Sequence, residues 1–224
     1  MKMVCVKAAK RTRIMNNSDI EWTEFTSNPV KGECPVDCPY CYVKPLRKRY
    51  GWHEDIRFYP RELESIRRRK KPARIFVGST IELFHDKTIQ YMPEILETVR
   101  CCPQHTFLFL TKCPENLISF SPFPDNAWVG VTATDTDMAE KALYYLNQVE
   151  AVIKYISFEP LLEEIVIDLS GIHQGIIGQQ TKPDNPPIPT WVDGLIDCLD
   201  RAGAKVFLKD NLKWCNPRQE IPGV

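Results

Sequence analysis

The sequence predicts an α/β chain, a partial (β/α) barrel of about six or seven parallel strands. Two patterns carry that prediction. Short apolar runs alternate with stretches whose apolar residues recur at helical spacing, the signature of right-handed βαβ units and a parallel sheet. The runs also end, one after another, in a hydroxyl, an amide or a charged group, and barrels gather their chemistry at strand C-termini. An open doubly wound sheet is the alternative, but no GxGxxG follows the first strand.

Taken in order, residues 1–18 are polar and basic apart from Val4-Cys5-Val6, and read as a basic arm ahead of a single domain over 19–224. Ile20-Glu21-Trp22-Thr23-Glu24-Phe25 alternates apolar and polar residues, a strand that delivers the chain to Cys34. Residues 57–71 read as a helix with thin apolar positions, hence an exposed one. Apolar runs at 74–80, 106–110, 126–131, 152–158, 175–178 and 205–208 are strands, with helical patterns at 89–99, 137–149 and 192–201. Residues 179–189, rich in proline and polar residues, read as a mobile loop. The strand ends supply Ser79 and Thr80, Thr111 and Lys112, Thr132, Ser157 and Glu159, Gln179 and Gln180, and Lys209. One such residue is ordinary turn chemistry; six strands in succession suit one cup.

Composition sets the outer bounds. The 224 residues are enough for one full core, and 43% hydrophobic with 26% charged content is that of a soluble globular chain. No apolar run reaches a membrane span, and the basic N-terminus lacks the apolar region of a secretory signal. Nine cysteines without such a signal point to a reducing, cytoplasmic setting and to ligands rather than disulfides. The net charge of zero hides an asymmetry: residues 1–74 hold 18 Lys and Arg against 9 Asp and Glu. Residues 44–74, with Arg67-Arg68-Arg69-Lys70-Lys71 at their densest, read either as a solvated face or as a phosphate-binding rim for nucleic acid.

The chemistry centres on Cys34-Pro-Val-Asp-Cys38-Pro-Tyr-Cys41-Tyr42. Three thiols at i, i+4 and i+7 would share a helix face, but Pro39 in a helix interior costs roughly 3 kcal/mol. Each proline also drives the residue before it towards extended geometry. The stretch is therefore a ligand loop. Three thiols are one short of a closed zinc site or an ordinary iron–sulfur site, so an iron with an open position, or a zinc completed by His53 or His85, fits the count.

The CxxxCxxC spacing, with an aromatic before the last cysteine, resembles the radical S-adenosylmethionine (SAM) superfamily. More of the chain joins in. Ile20-Glu21-Trp22-Thr23, Asn28-Pro29-Val30 with Gly32, Leu83-Phe84-His85, Leu110-Thr111-Lys112, Gly130-Val131-Thr132 and Ser157-Phe158-Glu159-Pro160-Leu161-Leu162 look like successive blocks of an uncharacterised radical SAM family. That family is common in phages and prophages and is distantly similar to spore photoproduct lyase. One block departs: Gly178-Gln179-Gln180 stands where the family usually has Gly-Gly-Glu, which removes a carboxylate.

The resemblance implies a radical SAM barrel with a 4Fe-4S cluster on Cys34, Cys38 and Cys41. The free iron would bind SAM, and one-electron reduction by an external flavodoxin- or ferredoxin-type donor would give a 5′-deoxyadenosyl radical. Tyr40 would pack beside the adenine, Gly78-Ser79-Thr80 would meet the SAM amino group, and Lys112 and Thr132 its carboxylate. Glu159 would accept ribose hydroxyls or pair with Lys112 or Lys209, and Lys209 would meet substrate or a phosphate. Tyr42 reads either as a hydrogen-atom relay or as packing for the loop, and Cys215 or Cys113 as a hydrogen donor or a structural thiol. The expected substrate is a nucleic-acid base, flipped out or single-stranded, with Tyr50, Trp52, Phe58 and Tyr59 available for stacking. A peptide or a nucleotide-like metabolite is the alternative substrate. A non-catalytic zinc- or iron–sulfur-holding nucleic-acid-binding module and a catalytically retired fold are the competing readings.

Overall fold

The computed structural model describes residues 16–223, so Val4-Cys5-Val6 and most of the expected basic arm lie outside the described residues. The chain enters through β1 (Asn16–Asn17), which pairs antiparallel with β2 (Phe25–Ser27). The strand expected from Ile20 thus begins only at Phe25. Between them the Ser18 N–H donates to Glu24 O and the Thr23 N–H to Ile20 O, closing a turn that tucks Trp22 under the sheet.

β3 (Val30–Lys31) forms a two-stranded ribbon with β4 (Arg57–Phe58), and residues 32–56, with the cysteines and α1 (Val43–Tyr50), are an excursion whose base this ribbon closes. α2 (Pro60–Arg68) follows, with Pro60 in its first turn, where the missing N–H is no loss. The expectation of an exposed helix here is corrected: Leu63 and Ile66, three apart and each 1% exposed, form a stripe packed against α3 (Met92–Arg100). β5 (Arg74–Val77) lies between α2 and α3 in sequence, and β6 (Thr106–Thr111) follows α3.

β7 (Ala127–Thr132) leads into α4 (Thr136–Leu146), capped by Asp135, whose side chain accepts from the Met138 N–H at 2.9 Å. β8 (Ile153–Phe158) and β9 (Gln174–Ile177) come next. The segment expected as a loop holds a hairpin, β10 (Gln180–Thr181) and β11 (Asp184–Asn185), before α5 (Pro189–Arg201) and β12 (Lys205–Leu208).

The main sheet has eight strands in the order β1-β2-β5-β6-β7-β8-β9-β12, all parallel from β2 to β12. Seven parallel strands match the expected number. The order follows the sequence without reversal, so it has no switch point of the doubly wound kind, and right-handed crossovers then fall on one side of the sheet. The core divides accordingly. Ile75, Phe107, Val129, Ile156, Ile177 and Val206 face the helices, whereas their neighbours Phe76, Leu108, Trp128, Tyr155, Ile176 and Phe207 form a second cluster with Trp22 on the opposite face. Strand alternation assigns each residue to one face. Large side chains of the sheet bury this second face themselves, with Trp22 bridging Phe76 at 5.0 Å and Tyr155 at 5.9 Å. Among the described residues, no helix is long and apolar enough to cross a membrane.

Candidate functional site

The cysteine loop is held by polar contacts at both ends. Asp37 adopts the left-handed conformation (φ 54°), and Lys44 bonds both its carbonyl (3.1 Å) and its carboxylate (2.7 Å). Arg47 pairs with Glu33 at 3.1 Å, which ties α1 to the start of the loop. Cys34, Cys38 and Cys41 are each partly buried, and the Glu82 N–H donates to Cys34 Sγ at 3.4 Å. Burial pushes the Cys38 thiol up, the Lys112 ammonium draws it down, and the Cys34 and Cys41 thiols raise it again. Among the described residues, no three His, Cys, Asp or Glu side chains group closely enough to hold a metal ion.

Under this loop the predicted strand-end residues fall at one end of the sheet, because every strand from β2 to β12 runs the same way. Lys112 Nζ donates to Thr132 Oγ1 at 3.4 Å and stands 6.0 Å from the centre of the Tyr40 ring. These three, with Cys38, line a cavity of about 340 Å³. Burial pushes the Tyr40 hydroxyl up to about 12, with Cys38 adding to the rise and the Thr134 hydroxyl opposing it.

Gly78, Ser79 and Thr80 lie on the other side of the loop. Gly78 has φ +82°, and a Cβ there would stand 2.5 Å from Leu83, so the turn after β5 needs glycine on both counts. Tyr42 donates its hydroxyl to Ser79 O at 2.8 Å. The residue is 49% exposed, and burial, then Cys41 and Glu159, push its hydroxyl up to about 12. Ser79, Thr80 and Tyr42 line a second cavity of about 710 Å³ that also reaches Asn28, Trp52 and Tyr59.

At the far strands, Lys209 Nζ meets Glu159 Oε1 at 2.5 Å and Glu21 Oε2 at 3.7 Å. Of the two partners expected for Glu159, the structure pairs it with Lys209. Gln179 donates its amide to Asp184 at 2.6 Å, so a carboxylate from the hairpin stands beside the strand end whose own carboxylate is absent. Cys215 is exposed, beyond the last strand.

Two site residues escaped the sequence reading. Glu82, 8% exposed, accepts from Thr111 Oγ1 (2.7 Å), the Lys112 N–H (2.8 Å) and the Phe84 N–H (3.0 Å). It thereby locks the turn after β5 to the end of β6, while its own N–H holds Cys34. Asn28 Oδ1 accepts from Ser79 Oγ at 3.2 Å and from both the Thr80 N–H and hydroxyl at 3.1 Å. Neither residue belongs to a periodic pattern, and all their partners but Phe84 lie far along the chain; Asn28 was legible only as part of the Asn28-Pro29-Val30 block.

The basic rim divides. Arg67 to Lys71 run from the end of α2 towards the start of β5, and the Arg69 carbonyl accepts from Gln104 at 3.1 Å, just before β6. They sit at the N-terminal end of β5, whose four residues put about 13 Å between them and the cup. Placing them beside the site is therefore corrected. Lys44, Arg47, Lys48 and Arg49, on α1, stand on the cysteine side.

Among known proteins, no curated protein and no solved structure matches this chain. A family model described as "Protein of unknown function (DUF5131)" matches residues 17–221. The match spans nearly the whole sheet and both cavities, and the chain belongs to the DUF5131 family.

Proposed function

We propose that this protein is a cytoplasmic radical SAM enzyme on a partial (β/α) barrel, abstracting a hydrogen atom from its substrate, a nucleic-acid base. The observation that carries the reading is the loop of three partly buried thiols over the C-terminal ends of a parallel sheet, with the Lys112–Thr132 pair beside Cys38. The donor set fits a 4Fe-4S cluster. Three thiols leave one iron open, and the Glu82 N–H gives Cys34 sulfur a donor.

Cys34, Cys38 and Cys41 would hold the cluster, which when bound supplies the electron that splits SAM into methionine and a 5′-deoxyadenosyl radical; a flavodoxin- or ferredoxin-type partner is the external reductant. Lys112 and Thr132 offer an ammonium and a hydroxyl to the SAM carboxylate. The hydroxyls of Ser79 and Thr80, preset by Asn28, face the amino group, and Tyr40 walls the adenine. Glu159 has one oxygen on Lys209, which leaves the other for a ribose hydroxyl. Tyr42, anchored on Ser79, shields the cup from water. The zinc-module alternative lacks its fourth ligand in His53, whose ring nitrogens already meet Asp55 O and Tyr59 Oη, each at 2.8 Å.

The test is anaerobic reconstitution with iron and sulfide, then dithionite and SAM, with 5′-deoxyadenosine as readout. Wild type yields the nucleoside and Cys38→Ala does not. Iron incorporation without cleavage by wild type, or cleavage that persists in Cys38→Ala, overturns the reading.

A further inference from the structure

A pair of exposed aromatic rings, Tyr50 and Trp52, lies at the C-terminal end of α1. Tyr50 and Trp52 are 59% and 44% exposed, yet their rings lie near-parallel, 21° apart with centroids at 6.1 Å. Arg49 covers the Tyr50 ring at 5.5 Å. Of the four cations on α1, Lys44 and Arg47 are spent on Asp37 and Glu33, whereas among the described residues Lys48 and Arg49 make no ion pair. Trp52 is also a wall of the 710 Å³ cavity, whose inner end is Ser79, Thr80 and Tyr42.

Inside that cavity, His53 and Tyr59 stack at 6.1 Å and share a 2.8 Å hydrogen bond, with Lys31 over the Tyr59 ring at 5.0 Å. Aromatic walls with donors and acceptors at the edges suit a flat heterocycle. The volume lies within the roughly 300–1,000 Å³ of small-ligand pockets. Flat exposed rings between unpaired cations are what a phosphodiester chain with unpaired bases requires: rings for the bases, cations for the phosphates. A duplex offers no unstacked base face to such rings.

We propose that single-stranded nucleic acid lies across the C-terminal turn of α1, its bases stacked on Tyr50 and Trp52 and its phosphates against Lys48 and Arg49, with one base entering the 710 Å³ cavity towards Ser79. The entry of a base for reaction rests on the hydrogen-abstraction reading; the binding surface does not. It also assigns recognition to α1 and not to the Arg67–Lys71 run at the far end of the sheet.

The experiment is fluorescence anisotropy of the full chain with a short labelled oligothymidylate, the matching oligouridylate and a duplex, across a salt series. Single strands are expected to bind more tightly than duplex. Tyr50→Ala/Trp52→Ala should weaken single-strand binding by roughly 5- to 150-fold per stacked base. Lys48→Ser/Arg49→Ser should lower the salt slope by about 0.7 for each phosphate contact removed, while Arg67→Ser/Arg68→Ser leaves binding unchanged. Both aromatic positions are solvent-exposed, so the double variant keeps its fold, with far-UV circular dichroism as the check. Equal binding of duplex, no effect of the aromatic pair, or loss in the Arg67→Ser/Arg68→Ser variant overturns the proposal. Single-strand binding by a wild-type protein that cleaves no SAM upholds this surface and removes the enzyme reading; cleavage without such binding does the reverse.

Discussion

Replacing Glu82 with Ala tests whether one buried carboxylate organises the cup. Its side chain accepts from two backbone N–H groups, of Lys112 and Phe84, and from the Thr111 hydroxyl. The hydroxyl can turn to another acceptor, but the two N–H groups cannot. Each orphaned buried donor costs about 1–3 kcal/mol, which puts the loss at about 2–6 kcal/mol. Against a total stability of about 5–15 kcal/mol this is a large fraction of the whole. Glu82→Gln keeps one oxygen for Thr111 and Phe84 but sets an amide donor against the Lys112 N–H, so it should lose about half as much. The assay is urea unfolding of wild type and both variants by intrinsic fluorescence, comparing midpoints at constant slope. A loss below about 1 kcal/mol in Glu82→Ala would refute the reasoning, because three satisfied bonds to a buried acceptor cannot vanish so cheaply.

Two further outcomes follow from buried groups elsewhere. His105 is 1% exposed; its Nε2 meets Arg69 O at 3.1 Å, its Nδ1 has no partner among the described residues, and burial holds its pKa below the ordinary value. The unfolded chain therefore takes up the proton first as pH falls. Stability is whole above about pH 6.5 and declines below it until the folded pKa is passed, by at most about 1.4 kcal/mol per pH unit. His105→Gln should flatten that decline in urea midpoints taken between neutral and mildly acidic pH; an unchanged slope would count against it. In β7, a Cβ on Gly130 would stand 2.3 Å from the Tyr155 ring, which is fully buried and bonded to Phe109 O at 2.8 Å. Gly130→Ala should cost about 1–3 kcal/mol or more. Adding Tyr155→Val should recover part of that cost in a double-mutant cycle, and strict additivity would contradict the packing account.

By itself the sequence determined the alternation of strands and helices, the loop nature of the cysteine stretch, and the polar residue that closes each strand. These are local properties: period 2 against period 3.6, proline's fixed geometry, and the turn that must follow a strand. Residues 16–27 show the limit even of local reading. Alternation at Ile20 and Trp22 is equally served by a turn that buries Trp22 and half-buries Ile20, and only pairing with β5 decides that the strand starts at Phe25. α1 was illegible because Pro45 and four cations hide its single buried residue, Val43. Tertiary structure alone decided which end of the sheet each side chain occupies. Arg67 to Lys71 and Lys48 to Arg49 are alike as charge runs, yet strand direction puts them at opposite ends. Glu82 and Asn28 are two polar loop residues in the sequence; apart from Phe84, the partners named for them lie 29 to 52 residues away and come within reach only when β2, β5 and β6 lie side by side. A hydrogen bond acts over about 3 Å, and such distances between remote residues are set by strand order, which no local pattern encodes.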